Sequence, residues 1–561
     1  MRHLKLHLAY KSVKRLRDIV ASLVRHGFYP LMESLHLTPL ISIPQRLMRW
    51  RAGREKEELS LAVRTRLVFE ELGPTFIKFG QILSTRPDIA PGEFIDELLK
   101  LQDEVPPYPY EEVVSIVEDE FKRPVGEIFS KIEREPVAAA SIAQVHGAVT
   151  TAGDEVVIKV QRPGIEETIS TDIAILSFIA RRMVRYLPES RVYDPVGAIE
   201  EFAMTITREM DFTLEASHME RFRKKFSDDP RVVVPKVFWD YTGKKVLTME
   251  RVSGIKVDRV EELGKSGIDT RKVARLLTDV FFRQVFEFGY FHGDLHPGNI
   301  FVQADDRLAL VDFGIVGRIE PRMQTGLADL LICSVKEDFE GLTKTYLGMG
   351  VLPEEVDEAA FKREYWDVTL HYFGRPLSHV RLGDLFQDYI RIAARHGIRV
   401  PRDLLLFDKC LIELEGLTRL LHPDVNIMEE CEPYAARLVK ERVSPGTVVK
   451  EGVSTLGEYG ELAGNLPEYT SRIMKKLMAD RLAIEFVHRG LEEFIGEVDR
   501  SSNRVTFGII MAAMVIGSSL IIAADAGPMM WGYPALGIFG FLLAGALGLW
   551  LAFLILKSGK F

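Results

Sequence analysis

Hydrophobic and polar positions change their spacing several times along the chain. Near the start Leu16, Ile19, Val20, Leu23 and Val24 recur at three- and four-residue intervals among Lys11, Lys14, Arg15 and Arg17. That spacing predicts an amphipathic helix. Further on, Glu155-Val156-Val157-Ile158-Lys159-Val160 is a β-branched run after the turn signal Gly153-Asp154, which predicts a strand. Strands are also expected at Val246-Leu247-Thr248-Met249-Glu250 and in the apolar run from Leu308 to Val311. Helical spacing dominates after about residue 320 and returns in an amphipathic stretch over 469–498.

The end of the chain follows a different rule. Residues 505–524 and 534–556 carry no charge, and each run is long enough to cross about 30 Å of hydrocarbon. The turn between them holds Trp531 and Tyr533 as interface anchors, so a two-helix transmembrane hairpin is expected. Arg500 and Arg504 precede the first run, and Lys557 and Lys560 follow the second. The connecting loop has neither residue type. Both termini and the body should therefore face the cytoplasm. Gly540, Ala544 and Gly548, with Gly508 and Ala512, place small residues four apart, which lets these helices approach closely or form a homodimer.

The expected class is α+β. The segments are a basic helical leader over 1–60, an N-terminal extension over 61–130, a small lobe over 131–250 and a mostly helical large lobe over 251–433. A helical connector follows over 434–503, then the hairpin over 504–557. Composition narrows the partners. The net charge of −9 argues against nucleic acid. Basic residues nevertheless crowd the leader, among them Arg46, Arg49, Arg51 and Arg54, so this segment is expected to lie on anionic lipid. It lacks the apolar core and cleavage signal of a secretory peptide. Cys333, Cys410 and Cys431 have no metal-type spacing and fit a reduced compartment.

The chemistry is concentrated in His292-Gly293-Asp294-Leu295-His296-Pro297-Gly298-Asn299 and in Asp312-Phe313-Gly314, with the strand-like run between them. Phosphoryl transfer from ATP needs an acidic group to orient or deprotonate the nucleophile and oxygen ligands to hold Mg2+ against the phosphates. Asp294 and Asn299 have the Asp-to-Asn offset of a kinase catalytic loop, and Asp312 opens the Asp-Phe-Gly triplet. Either motif alone would be an ordinary turn. Together, in this order, they point to nucleotide chemistry. Lys159, upstream on its strand, is placed as the lysine that engages phosphates.

A kinase would have a glycine-rich loop ahead of that strand. Here the place reads Val137-Ala138-Ala139-Ala140-Ser141-Ile142-Ala143-Gln144-Val145. Alanine limits the backbone, so the segment should cover ATP in a different geometry. Downstream, Gly293 stands where protein kinases carry arginine, and residues 315–322 lack both an Ala-Pro-Glu motif and a long phosphorylatable loop. Glu209, Asp211 and Glu215 are offset by two and six residues, so Glu209 and Glu215 can share a broad face of one helix.

With the alanine-rich segment, Lys78-Phe79-Gly80-Gln81, Glu209-Met210-Asp211-Phe212 with Glu215-Ala216, the Asp294 loop and Asp-Phe-Gly in this order, the chain resembles the UbiB family of atypical, protein-kinase-like proteins, also called the AarF family. Glu415-Gly416 and His422-Pro423-Asp424 extend the likeness to about Asp424. The resemblance implies a bilobal protein-kinase-like fold in which Lys159 pairs with Glu215 and contacts nucleotide. Asp294 serves in the catalytic loop, Asn299 and Asp312 hold Mg2+, and residues 137–145, with Glu250 at the linking strand, surround ATP or ADP. It also implies that Lys78 and Gln81 lie on an extension over the active site, where Lys78 meets Glu209 and Asp211.

The function so implied is a membrane-anchored kinase or ATPase supporting ubiquinone-type isoprenoid quinone biosynthesis or lipid homeostasis. Its partners would be a membrane lipid or quinone precursor and quinone-biosynthesis enzymes. Two alternatives stand beside it: a nucleotide-gated scaffold for membrane enzymes, and a small-molecule phosphotransferase. The Lys78 motif and the hairpin count against the second.

Overall fold

The computed structural model describes residues 2–40, 59–425, parts of 427–437 and 491–557, leaving out short pieces within 85–91 and at 102–105, 336–337, 351–356, 374–380, 399 and 525–526. The chain divides into two units, 1–450 and 451–561.

The leader helix Arg2–Arg25 belongs to the first unit. Val20 and Val24 are buried with Met32, Leu35 and Leu37, and Ile179 and Met183 of the helix Ile165–Tyr186 pack on them. Ile19 joins a neighbouring cluster with Val68, Phe76 and Phe202. Arg15 donates to both oxygens of the fully buried Asp172, at 2.7 and 2.9 Å, and to the Leu72 carbonyl at 2.9 Å. The expectation that this stripe lies on lipid is therefore corrected. An apolar stripe is covered by whatever apolar surface is available, and here protein covers it. Arg46, Arg49, Arg51 and Arg54 lie outside the described residues.

The extension contributes the helices Leu61–Leu72, Pro74–Ser84 and Gly92–Leu98. Ser60 caps the first by accepting from the Val63 N–H, and Gly73, at φ 90°, turns the chain into the second. In the small lobe, Phe129–Ile132, Ala143–Thr150, Glu155–Gln161 and Val246–Glu250 form an antiparallel sheet in that spatial order, and Ala138–Ala139 adds to the edge of Ala143–Thr150. The two-residue period of Glu155–Gln161 sends Val156, Ile158 and Val160 into a core with Val113 and Val117. Lys159 is thereby placed on the opposite face.

In the large lobe, the strands Ile300–Val302 and Leu308–Leu310 form the hairpin expected between the two chemical motifs. Tyr290–His292 pairs with Val316–Arg318 and brings the two motif-bearing segments side by side. The helix Thr270–Arg283 widens into a π-type turn over Gln284–Phe288. There the Gln284 amide oxygen accepts from the His292 N–H at 2.8 Å. The helix Pro321–Val335 starts seven residues after Gly314, which leaves the segment short, as the sequence suggested.

The second unit contains the helices Leu491–Ala523 and Ala535–Lys557, joined by the small ribbon Met529–Met530 with Tyr533–Pro534. Gly537 and Gly540 lie against Ile522 and Ser518, where an added Cβ would collide, so small residues do allow close approach. Among the described residues one helix, over Val505–Ala523, is long and apolar enough to cross a membrane; the apolar stretch Ala535–Trp550 is shorter. The expected pair of spans is thus narrowed to one candidate. The connector's residues 451–490, and Cys431, lie outside the described residues.

Candidate active site

Lys159 reaches from its strand to the helix Phe212–Lys225. Asp211 caps that helix, accepting from the Thr213 N–H at 3.1 Å and from the Thr213 hydroxyl at 2.5 Å. Phe212, Glu215, Ala216, Met219 and Phe222 form the buried stripe, so the helical period delivers Glu215 inward. Lys159 Nζ lies 3.0 and 2.9 Å from the two Glu215 oxygens and 3.3 Å from Asp312 Oδ1.

One cation thus serves two carboxylates. Burial favours the neutral amine, but Asp312 and Glu215 outweigh it and raise the lysine's pKa, so Lys159 stays charged. For Glu215 burial prevails over the pull of Lys159, and the nearby Asp312 adds to it, pushing the carboxyl up to about 7. Burial would also raise Asp312, yet Lys159 and then Lys78 hold it down to about 2. Asp312 adopts a left-handed backbone, φ 61°, stabilised by the Gly314 N–H donating to its Oδ1 at 3.3 Å. The fully buried Phe313 packs between Phe222 and His292 with tilted rings, centroids 4.9 and 4.8 Å away.

In the catalytic loop, Asn299 donates through Nδ2 to Asp294 Oδ2 at 2.9 Å and to the Asp294 carbonyl at 3.2 Å, which turns its own amide oxygen away from Asp294. That oxygen and the half-exposed Asp312 carboxylate are hard donors of the kind Mg2+ takes. His292 is buried, which lowers its pKa. Its Nε2 lies 3.0 Å from the Val311 carbonyl and its Nδ1 accepts from the Asp294 N–H at 3.2 Å, an arrangement that suits the neutral Nε2–H tautomer. Gly293 has a steric cause. A Cβ there would sit 2.7 Å from Ile315 Cγ2 and 2.9 Å from Leu406 Cδ2.

The alanine-rich segment folds as a tight hairpin. Ala138 and Ala139 pair with Val145 and Gln144, and the Ala140 N–H donates to the Ala143 carbonyl at 2.8 Å. Val137 is exposed, whereas Ser141 and Ala143 are buried and Ile142 packs against the cluster that contains Phe76 and Phe79. Gln144 points inward: its oxygen accepts from the Tyr108 N–H at 3.0 Å, and its nitrogen lies 2.7 Å from His146 Nε2. Its amide therefore holds the extension to the sheet. Glu250 ends the linking strand, its carboxylate accepting from the Lys236 N–H at 3.2 Å.

Lys78 pairs with Glu209 at 3.0 Å. The helical face expected to carry both Glu209 and Glu215 is corrected. Pro195–Glu209 and Phe212–Lys225 are separate helices, broken at Met210-Asp211 because the Asp211 carboxylate caps the second one. Gln81 donates to the Leu101 carbonyl at 3.4 Å, within the extension.

Sequence reasoning missed Lys409 and Glu413, one turn apart on the helix Arg402–Leu421. Lys409 Nζ is 2.8 Å from Asp294 Oδ1 and 3.3 Å from Glu413, whose Oε2 accepts from the Leu295 N–H at 3.0 Å. Their only signal was a charged i,i+4 pair in a helix that also carries Arg402, Asp403, Asp408, Glu415 and Arg419, which reads equally well as a solvated face.

Family models match most of the chain. One described as the ABC1 atypical kinase-like domain covers 100–346, one described as the UbiB helical domain covers 367–426, and one described as the ABC1/UbiB kinase-like C-terminal domain covers 489–557. A Pseudomonas fluorescens SBW25 protein named "Probable protein kinase UbiB" is 34% identical over 467 residues, 82% of this chain and 88% of that protein. A Pseudomonas putida W619 protein of the same name is 33% identical over 541 residues, 96% of this chain and 98% of its own.

The chain belongs to the ABC1/UbiB family.

A solved chain titled "The complex structure of Rv3197-erythromycin from Mycobacterium tuberculosis" is 24% identical with a TM-score of 0.47, covering 63% of this chain and 90% of that one. Within the ABC1/UbiB frame, Lys159, Glu215, Asp294, Asn299 and Asp312 all fall in the kinase-like domain, and Lys409 and Glu413 fall in the helical domain. The two domains therefore meet at Asp294.

Proposed function

We propose that this protein binds Mg-ATP between its two lobes and transfers or hydrolyses the γ-phosphoryl group, with Asp294 orienting or deprotonating the acceptor. The observation that carries this reading is Lys159 bridging Glu215 and Asp312, a fixed cation beside the metal-binding triplet. Asn299 and Asp312 would hold Mg2+, which supplies charge neutralisation for the β- and γ-phosphates. Residues 137–145 would cover the nucleotide and Glu250 would lie near its base.

The family resemblance supports a role in ubiquinone-type quinone biosynthesis or lipid homeostasis, in which a lipid or quinone precursor would be the acceptor and quinone-biosynthesis enzymes the partners. The apolar helix over Val505–Ala523 supports a membrane anchor. A two-span hairpin would keep both ends on the cytoplasmic side, and a small residue left uncovered within it, such as Gly508, would also suit a homodimer.

A second reading, a nucleotide-gated scaffold, is favoured by the Lys78–Glu209 pair, which ties the extension to the helix that leads into Asp211 and Glu215. Nucleotide bound beside Glu215 would then shift the extension. The deciding experiment incubates the purified full chain with labelled ATP, with and without lipid vesicles. Free phosphate or labelled lipid supports turnover, and binding without product supports the scaffold. Asp312→Asn should weaken Mg-ATP binding strongly; wild-type affinity that is indifferent to magnesium chelation sinks the site assignment.

A further inference from the structure

Phosphoryl transfer needs the base that meets the acceptor to be held in a fixed orientation. The loop from Asp294 to Asn299 contains no lysine or arginine of its own. His296 instead caps the loop, its Nδ1 accepting from the Gly298 N–H at 3.1 Å. Lys159 is engaged by Glu215 and Asp312, and Lys78 by Glu209. The helical domain makes good the difference.

We propose that Lys409 is the positioning residue of the phosphoryl-transfer step, holding the Asp294 carboxylate in a single orientation from outside the kinase-like domain.

Both Asp294 oxygens are tied, Oδ1 to Lys409 at 2.8 Å and Oδ2 to Asn299 at 2.9 Å. Rotation of the carboxylate would break two charge-assisted bonds. Glu413 fixes the register: it binds Lys409 on one side and the Leu295 N–H on the other, so a single helical turn holds both the loop backbone and the carboxylate. Lys409 is three-quarters buried, with 23% of its side chain exposed, which limits solvent screening of the pair.

The groups bearing on Asp294 are Lys409, Asp312 and His292, with Glu413 behind Lys409. Without Lys409, Oδ1 of Asp294 would lose its partner and the carboxylate would be held through Oδ2 by Asn299. In the step itself the acceptor oxygen bonds to the γ-phosphorus. The bond to the β,γ-bridging oxygen breaks with its electron pair leaving on ADP, and the acceptor proton passes to Asp294.

This inference rests on the kinase or ATPase reading, and the test separates the two. Full-length protein in lipid vesicles is assayed for Mg-ATP affinity and for ADP release. Lys409→Met should leave Mg-ATP affinity within about threefold and lower kcat about 100-fold, because the base loses its orientation while the nucleotide contacts remain. Lys409→Arg should restore most of the rate. If Lys409→Met does not fold, Lys409→Met with Glu413→Gln removes the stranded like charge and is read in the same way. Unchanged kcat in the Met variant, an equal loss of Mg-ATP affinity, or no rescue by Arg overturns the role of Lys409. A wild type that binds Mg-ATP and releases no ADP overturns the enzymatic reading and this inference with it.

Discussion

Gly80, inside Lys78-Phe79-Gly80-Gln81, provides a test of how the extension is held in place. Its Cα faces the junction of the three extension helices. A methyl group there would collide with Leu101 Cδ1 and stand 2.8 Å from Phe69 Cδ2 and 3.2 Å from Leu98 Cδ2. Leu98 and Leu101 are almost fully buried, so neither can swing into solvent to make room. Forcing one methyl group into such a site costs about 1–3 kcal/mol, and three simultaneous close contacts put Gly80→Ala near the middle of that range. Alanine's better helix propensity offsets less than about 1 kcal/mol.

Because Lys78 sits on the same helix, two residues away, relief of the clash should also shift its 3.0 Å pair with Glu209. The assay is denaturant unfolding of the full chain in detergent, for the wild type, Gly80→Ala, Leu101→Val and the double variant. Leu101→Val alone should cost about 1 kcal/mol, and the double variant should be more stable than the sum by about 1 kcal/mol, since the two residues compete for the same volume. Gly80→Ala with wild-type stability, or strictly additive costs, would refute the steric account.

Other expectations follow from the charge pairs and the chain's ends. Glu215 has its carboxyl pushed up to about 7 from an ordinary 4.5, so its contribution to stability is full below about pH 4.5 and is lost as pH rises through 7. The wild type should therefore lose stability relative to Glu215→Gln between pH 4 and 8, and parallel stability profiles would contradict the assignment. Arg15→Ala strands the buried Asp172 and should cost about 3 kcal/mol in thermal or denaturant unfolding, with Arg15→Met plus Asp172→Leu recovering most of it; a leader that merely rested on lipid would show no such loss. Truncation after Asp499 should move the protein to the soluble fraction even at low salt, since the leader's apolar stripe is already buried. A truncated chain that pellets with membranes after a salt wash would place the anchor elsewhere.

Period, turn chemistry and motif order are properties of contiguous residues, and by themselves they determined a good deal. The alternation at 155–160 placed Lys159 on a strand with its neighbours turned to the opposite core, and the run from Leu308 to Val311 gave the hairpin before Asp312. The uncharged tail marked apolar helices by length alone. The same local rules misjudged Glu209 and Glu215 as sharing one helix, because a capping aspartate breaks a helix without interrupting its periodicity. They also assigned the leader's stripe to lipid, since periodicity states that a face is apolar and says nothing of what covers it.

Only the tertiary structure decided which charges meet. Lys159 finds Glu215 and Asp312 across gaps of 56 and 153 residues, and Lys409 finds Asp294 across 115. At such separations sequence spacing carries no distance information; the folded sheet and helices set the distance, and burial then makes each pairing matter by removing the water that would otherwise screen it. Gly293 and Gly80 likewise read as loop and helix glycines until Leu406, Ile315, Leu101 and Phe69 are brought against them. The need for a missing methyl group is a fact about neighbours, and neighbours are what folding supplies.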